Sequence, residues 1–202
     1  MVKIWSSRPF LSNCMSGRLR QSPSTFWLPR WYARGVVIFG IDPSLRSTGY
    51  AVIESKGGRQ RAVAYGTIPN PPSRLVSLCF REIHRMVGEL LDAHHPDAVA
   101  IEAVIYVQSR GTAITLGGAR GAAITAVAAR EIPVFEYPSR FVKKASTGFG
   151  GAAKAQVGFM MRAVLGLSET PPADAADALA IALTHVQSYL SNGERLGVGR
   201  RI

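Results

Sequence analysis

Four acidic residues, Asp42, Glu102, Asp174 and Asp177, stand at the ends of apolar elements, where they could act together. Asp42 follows directly on an apolar run that opens with Val36 to Phe39, and Glu102 ends the run DAVAIE, residues 97–102. An acid at the C-terminal end of a buried strand lies where open α/β sheets keep their chemistry. Asp174 and Asp177 are three apart, on one face of a helix near its N-terminus. Compensation of the helix dipole, at roughly 0.3–1 kcal/mol, would account for that pair alone. It gives no reason for acids to end two buried strands. If those strands are parallel neighbours, a small anionic pocket forms at the sheet's C-terminal edge. Carboxylates packed so closely repel one another unless a cation lies between them. Ligation by oxygen alone selects Mg²⁺ or Mn²⁺ over zinc.

The elements that would position these acids follow from periodicity. Val36 to Phe39 fit a central strand covered on both faces. Pro43, Ser44 and Thr48-Gly49 turn the chain into a second strand, Tyr50 to Glu54, so Asp42 sits at the corner of a hairpin. Gly57-Gly58 makes the next turn, and Ala62 to Ile68 reads as a third strand. Ser73 is the expected N-cap of a helix with Leu75, Leu78, Cys79, Ile83, Met86, Val87 and Leu90 on one face, closed by His94-His95-Pro96. After the strand 97–102, a helix from about Ser109 to Arg130 is rich in glycine and alanine. Its glycines weaken it and so imply close approach to another element. Pro133 to Tyr137 is a short last strand. The basic segment SRFVKKASTGFGGAAK follows, with a Gly-rich loop at 148–151. A helix runs from Lys154 through Leu165, and Thr170-Pro171-Pro172 opens the last one, which reaches about Ser188. Strands alternating with helices after an initial meander give an α/β fold with a mixed five-stranded sheet flanked by helices.

The 202 residues suit one domain, 36–189, between a basic extension, 1–35, expected to be disordered, and a flexible tail, 190–202. Arg120 and Arg130 interrupt the best candidate for a membrane span, so no membrane role is expected. Cys14 and Cys79 fit neither a metal site nor a disulfide framework, which points to a reducing, cytoplasmic setting. The Ser- and Arg-rich extension also has the composition of an organelle transit peptide or a translated leader. A net charge of +11 favours a polyanionic partner. Six of the basic residues lie in residues 1–35 without an acid. In the folded part, eight lie between Tyr106 and Ser168 against only Glu131 and Glu136. Such a partner is nucleic acid before an anionic membrane surface, and Arg110, Lys143, Lys144 and Lys154, with Tyr106, are its candidate contacts in that stretch.

Taken in order, GIDPSLRSTGYAVI, AIEAV, LGGARGAA, PVFEYPSRFVKK and ADAADALAIALTH resemble the RuvC family of Holliday junction resolvases over residues 37–187. The resemblance implies a ribonuclease-H-like fold and a homodimer that nicks four-way DNA junctions symmetrically. It implies Mg²⁺, two ions per subunit with Mn²⁺ as a substitute, and work beside a branch-migration helicase complex. Its four catalytic carboxylates fall on Asp42, Glu102, Asp174 and Asp177, and its two functional lysines on Lys143 and Lys154. Two departures stand out. Ser44 replaces a usual glycine, so the turn after Asp42 must adopt a conformation that serine tolerates. Ile105 stands where the family commonly has an aromatic residue, leaving Tyr106 as the base-stacking candidate or a loop that works differently.

Two other readings compete. An aspartate-bearing turn followed by Thr-Gly also resembles the phosphate loop of actin-like ATPases and sugar kinases. Those proteins need a second comparable domain and another nucleotide loop, for which this chain has no room. A non-catalytic junction-binding protein is the other alternative, and the presence of all four acids argues against it.

Overall fold

The computed structural model describes residues 35–103, 109–191 and 199–202. Strands β1 (Val36–Asp42), β2 (Ser47–Lys56) and β3 (Arg59–Pro69) form an antiparallel meander. Helix α1 (Val76–His94) leads to β4 (Ala98–Ala103), and α2 (Arg110–Ala128) leads to β5 (Val134–Pro138). Helices α3 (Ser139–Thr147), α4 (Lys154–Leu165) and α5 (Ala173–Ser191) follow, and β6 (Arg200–Arg201) closes the order. The sheet runs β3-β2-β1-β4-β5-β6, with β1, β4 and β5 parallel and β6 antiparallel to β5.

Alternation along the strands divides the core between the two faces of the sheet. Phe39 and Ile41 of β1, with Val99 and Ile101 of β4, pack against α1 and α2 through Ile83, Val87, Leu91, Ala119, Ala123 and Val127. Ile38 of β1, with Ala98 and Ala100 of β4, packs against α4 and α5 through Val157, Met161, Ala178, Leu179 and Ala182. By the same alternation Asp42 and Glu102 point to the α5 face. The parallel register pairs Ile41 with Ile101, so the two acids that follow end adjacent strands side by side.

The expected elements are present, with differences at their ends. Among the described residues the sheet has six strands, not five, because Arg200–Arg201 of the tail expected to be loose pairs with Phe135 and Glu136. Helix α1 starts at Val76 with Leu75 as its N-cap and no side-chain capping bond, so Ser73 is not the cap. Arg46 instead crosses to this corner and donates to the carbonyls of Pro71 and Arg74 at 2.8 and 3.1 Å. Helix α5 likewise begins at Ala173, after both prolines, with Ala176 N–H donating to Pro172 O at 2.8 Å, and Thr170 does not cap it. The segment 139–147, read as a basic connection, is a helix. It is amphipathic, with Val142 and Ser146 buried and Phe141 against the core, but its 9 residues are shorter than the stretch over which helical periodicity is read.

Gly49 is not a turn residue but part of β2, paired with Asp42. Ser44 fits its turn without strain. His95 and Glu131 are the only non-glycine residues with positive φ among the described residues. The turn is closed by Thr48 Oγ1, which donates to Ser44 O at 2.7 Å. The small-residue helix α2 divides in two. A Cβ on Gly118 would meet the Phe80 ring at 2.3 Å, so that side packs on α1 of the same chain, whereas Gly117 and Gly121 face open space.

Candidate active site

Two glycines bring the last helix onto the sheet. A Cβ at Gly40 would stand 2.2 Å from Ala178 O, and one at Gly49 would stand 2.0 Å from Asp174 O. With bare backbone at both positions, α5 crosses β1 and β2 closer than any side chain would permit. Its first turn therefore hangs over the C-terminal end of β1, and Asp174 and Asp177 meet Asp42. One carboxylate oxygen from each of Asp42, Asp174 and Asp177 lies within 4.8 Å of the other two.

Glu102 completes the acidic set from β4. It lies outside the 4.8 Å group but lines the same cleft, of about 250 Å³, as Asp42, Asp177, Lys143, Lys154 and Ser139. Asp174 is in the group and stands back from the cleft lining, where Ser47 Oγ donates to its Oδ2 at 2.5 Å. Behind Glu102, Arg120 of α2 donates to the Glu102 carbonyl at 2.5 Å and pairs with Glu136 of β5, which also receives Arg200 at 3.2 Å. The open end of β4 is thereby tied to its neighbour.

The electrostatics are those of an incomplete charge set. Burial, reinforced by the carboxylates of Glu102, Asp177 and Asp174, pushes the Asp42 carboxyl up to about 7. Burial also raises Asp177, against the pull of Lys154. Lys154 Nζ lies 3.3 Å from Asp177 Oδ2, and that carboxylate chiefly holds the ammonium proton more tightly. Lys154 and the more distant Lys143 do not offset four clustered carboxylates, so the donor set fits a hard divalent cation bound through oxygen.

The expected residues divide cleanly. Asp42, Glu102, Asp174, Asp177, Lys143 and Lys154 converge. Lys144 lies on the exposed side of α3, and Arg110 is exposed at the first turn of α2, so neither lines the cleft. Tyr106 and Ile105 lie outside the described residues. Sequence reasoning missed Gly40, Gly49, Ser47, Ser139 and Arg120 as parts of the site. The two glycines interrupt strands, which is a signal for close backbone approach. Ser47, Ser139 and Arg120 carry no such signal.

No helix among the described residues is long and apolar enough to cross a membrane. A family model described as crossover junction endodeoxyribonuclease RuvC matches residues 38–185. The chain is 49% identical over 151 residues to the crossover junction endodeoxyribonuclease RuvC of Akkermansia muciniphila, covering 75% of this chain and 90% of the relative. It is 44% identical over 153 residues to that of Syntrophomonas wolfei, covering 75% and 89%. Among solved structures, T. thermophilus RuvC in complex with a Holliday junction substrate superposes with a TM-score of 0.74 at 35% identity, covering 83% of this chain and 99% of that one. With its carboxylates gathered at the sheet edge and these relatives matched along nearly their whole length, the chain belongs to the RuvC family of crossover junction endodeoxyribonucleases.

Proposed function

We propose that this protein resolves four-way DNA junctions by divalent-metal-dependent phosphodiester hydrolysis. The observation that carries the reading is the convergence of Asp42, Asp174 and Asp177 within 4.8 Å at the rim of a cleft that Lys143 and Lys154 also line. Asp42, Glu102, Asp174 and Asp177 would hold Mg²⁺, two ions per subunit, with Mn²⁺ able to substitute. Such ions generate a nucleophile at neutral pH and stabilise the leaving oxygen of an in-line displacement. The residues of the chain do the rest. Lys143 and Lys154 hold the scissile and flanking phosphates where charge develops. Ser47 fixes one oxygen of Asp174, and Arg120 fixes the backbone of Glu102. Lys144 and Arg110 belong to the wider DNA surface, contacting phosphates away from the cleft, and Tyr106 is the candidate for stacking on a base.

A junction is two-fold symmetric, and one chain supplies one carboxylate set, so a homodimer provides the paired cuts. The outward stripe of α2, with Ile114 74% exposed and Gly117 and Gly121 open, is the candidate interface. The same reading includes a cytoplasmic location and work alongside a branch-migration helicase. The test is incubation with a labelled four-way junction, a linear duplex and an RNA–DNA hybrid, with and without Mg²⁺. Paired nicks confined to the junction and dependent on Mg²⁺ are expected. Equal cutting of all three substrates, or cutting without a divalent ion, would overturn the reading.

A further inference from the structure

Two phenylalanines stand in solvent beside the cleft: Phe149 is 67% exposed and Phe159 62%. They flank a second groove, of about 370 Å³, whose lining includes Thr147, Ala152 and Gln156. The loop that presents Phe149 is rigidly built. Gly148 closes α3 at φ +80 and donates to Lys144 O at 2.9 Å. Phe149 N–H donates to Thr147 Oγ1 at 3.2 Å, and Phe149 O accepts from Ala152 N–H at 3.1 Å. A Cβ on Gly150 would come within 3.0 Å of Arg140 O, and one on Gly151 within 2.8 Å of the Phe149 ring. The ring thus lies over bare glycine backbone, on a loop whose backbone these bonds hold, with most of its surface still in water. Holding an apolar ring in water gains the fold little, whereas a ligand that stacks on it finds its loop already ordered.

The groove and the cleft share both of their helices. Helix α3 turns Lys143 to the cleft and Thr147 to the groove, and α4 turns Lys154 to the cleft and Gln156 and Phe159 to the groove. From Lys154 to Phe159 the helix advances about 7.5 Å, so cleft and groove lie within reach of one short stretch of strand. Exposed Arg140 and Lys144 on α3 add positive charge next to the loop. Cations for phosphates beside an aromatic face for a base make up the arrangement that binds single-stranded nucleic acid.

We propose that the Phe149–Phe159 groove takes an unpaired nucleobase of the cut strand, within three nucleotides of the scissile phosphate, stacked on Phe149. This inference rests on the junction-nuclease reading and deepens it, by giving the enzyme a second place at which the opened junction is held. Stacking of this kind tolerates all bases, because each has a π-face.

The test uses the full-length protein and a four-way junction with Ca²⁺ in place of Mg²⁺, so that DNA binds uncut. 2-Aminopurine is placed in turn at each nucleotide within three of the cleavage point. Wild type is expected to change the fluorescence at one of these positions. Phe149→Ala should abolish that change and weaken binding about 5- to 150-fold, Phe149→Trp should keep both, and Phe159→Ala should reduce them. An abasic nucleotide at the same position should weaken wild-type binding comparably and leave Phe149→Ala nothing further to lose. Phe149→Leu keeps the packing over Gly151 without a π-face, and its loss of the signal separates stacking from folding. No fluorescence change at any position would overturn the proposal. So would an equal loss for Phe149→Ala on intact and abasic junctions, or a changed assembly mass with the signal intact, which would mark a protein-docking groove. A wild type that fails to cut the junction in Mg²⁺ would sink the parent reading as well. One that cuts while Phe149→Ala keeps the full signal sinks this inference alone.

Discussion

Replacing Gly49 by alanine adds one buried methyl group directly under the helix that carries two of the site's acids. The new Cβ would stand 2.0 Å from Asp174 O and 2.5 Å from Asp174 C, both backbone atoms that cannot rotate away. Restoring even a 3.0 Å contact requires the first turn of α5 to lift by about 1 Å. Overpacking of this kind costs about 1–3 kcal/mol. At about 2–4 °C per kcal/mol for a chain of this size, Tm should fall by roughly 2–12 °C. Activity should suffer more than stability, because Asp174 and Asp177 move with the helix away from Asp42. A misplacement of about 1 Å can cost about 100-fold in rate. The assays are thermal melting and single-turnover cleavage of a four-way junction at saturating protein, at a temperature where the variant is fully folded. Junction affinity in Ca²⁺ should change little. A Gly49→Ala protein that melts with wild type and cuts at its rate would show that α5 does not depend on this close approach, and the positional account of the site would fail.

Other outcomes follow from the charges and the chain ends. The raised Asp42 carboxyl stabilises the metal-free protein fully below its unfolded value of 3.8, and that stability is lost as pH rises through about 7. The interval is about three pH units at 1.36 kcal/mol each, so the loss is up to about 4 kcal/mol, shared with its coupled neighbours. Asp42→Asn should therefore flatten the pH dependence of Tm between about pH 4 and pH 7 without metal, raise Tm at pH 8, and abolish cleavage; a pH dependence like that of wild type would contradict this. Lys143→Ala and Lys154→Ala should each slow cleavage and make the salt dependence of junction binding shallower by about one unit of slope, measured by titration at several salt concentrations. Deleting residues 1–35 removes six positive charges and no motif, so circular dichroism and cleavage should match those of the full chain while non-specific duplex affinity falls. An insoluble or inactive truncation would make the extension structural.

The acids were legible in the sequence because each breaks a pattern. Asp42 and Glu102 end apolar runs, and the register that sets Ile41 beside Ile101 turns two separate anomalies into neighbours. The sides of α5 were legible from the spacing of Asp174 and Asp177. What brings the helix to the sheet was not. Gly49 looked like turn punctuation, since a glycine after a threonine near a hairpin reads the same whether it supplies φ freedom or space. Only the partner 125 residues later, Asp174 O, decides between them. The contact from Ser47 to Asp174 and that from Arg120 to Glu102 O are likewise long-range, between residue types common on any surface. Helix α3 escaped because its 9 residues, though amphipathic, are too few for a helical period to stand out among the basic residues around them. The small-residue stretch of α2 showed that something approaches closely, but not that Gly118 meets Phe80 of its own chain while Gly117 faces outward.

Calorimetric titration of Mn²⁺ into the DNA-free protein tests most directly whether the clustered carboxylates act by holding a divalent cation. Wild type should bind, and Asp42→Asn and Asp174→Asn should bind at least tenfold more weakly while retaining wild-type junction affinity in Ca²⁺. Wild-type Mn²⁺ affinity in either variant, or no Mn²⁺ binding by wild type, would contradict the account.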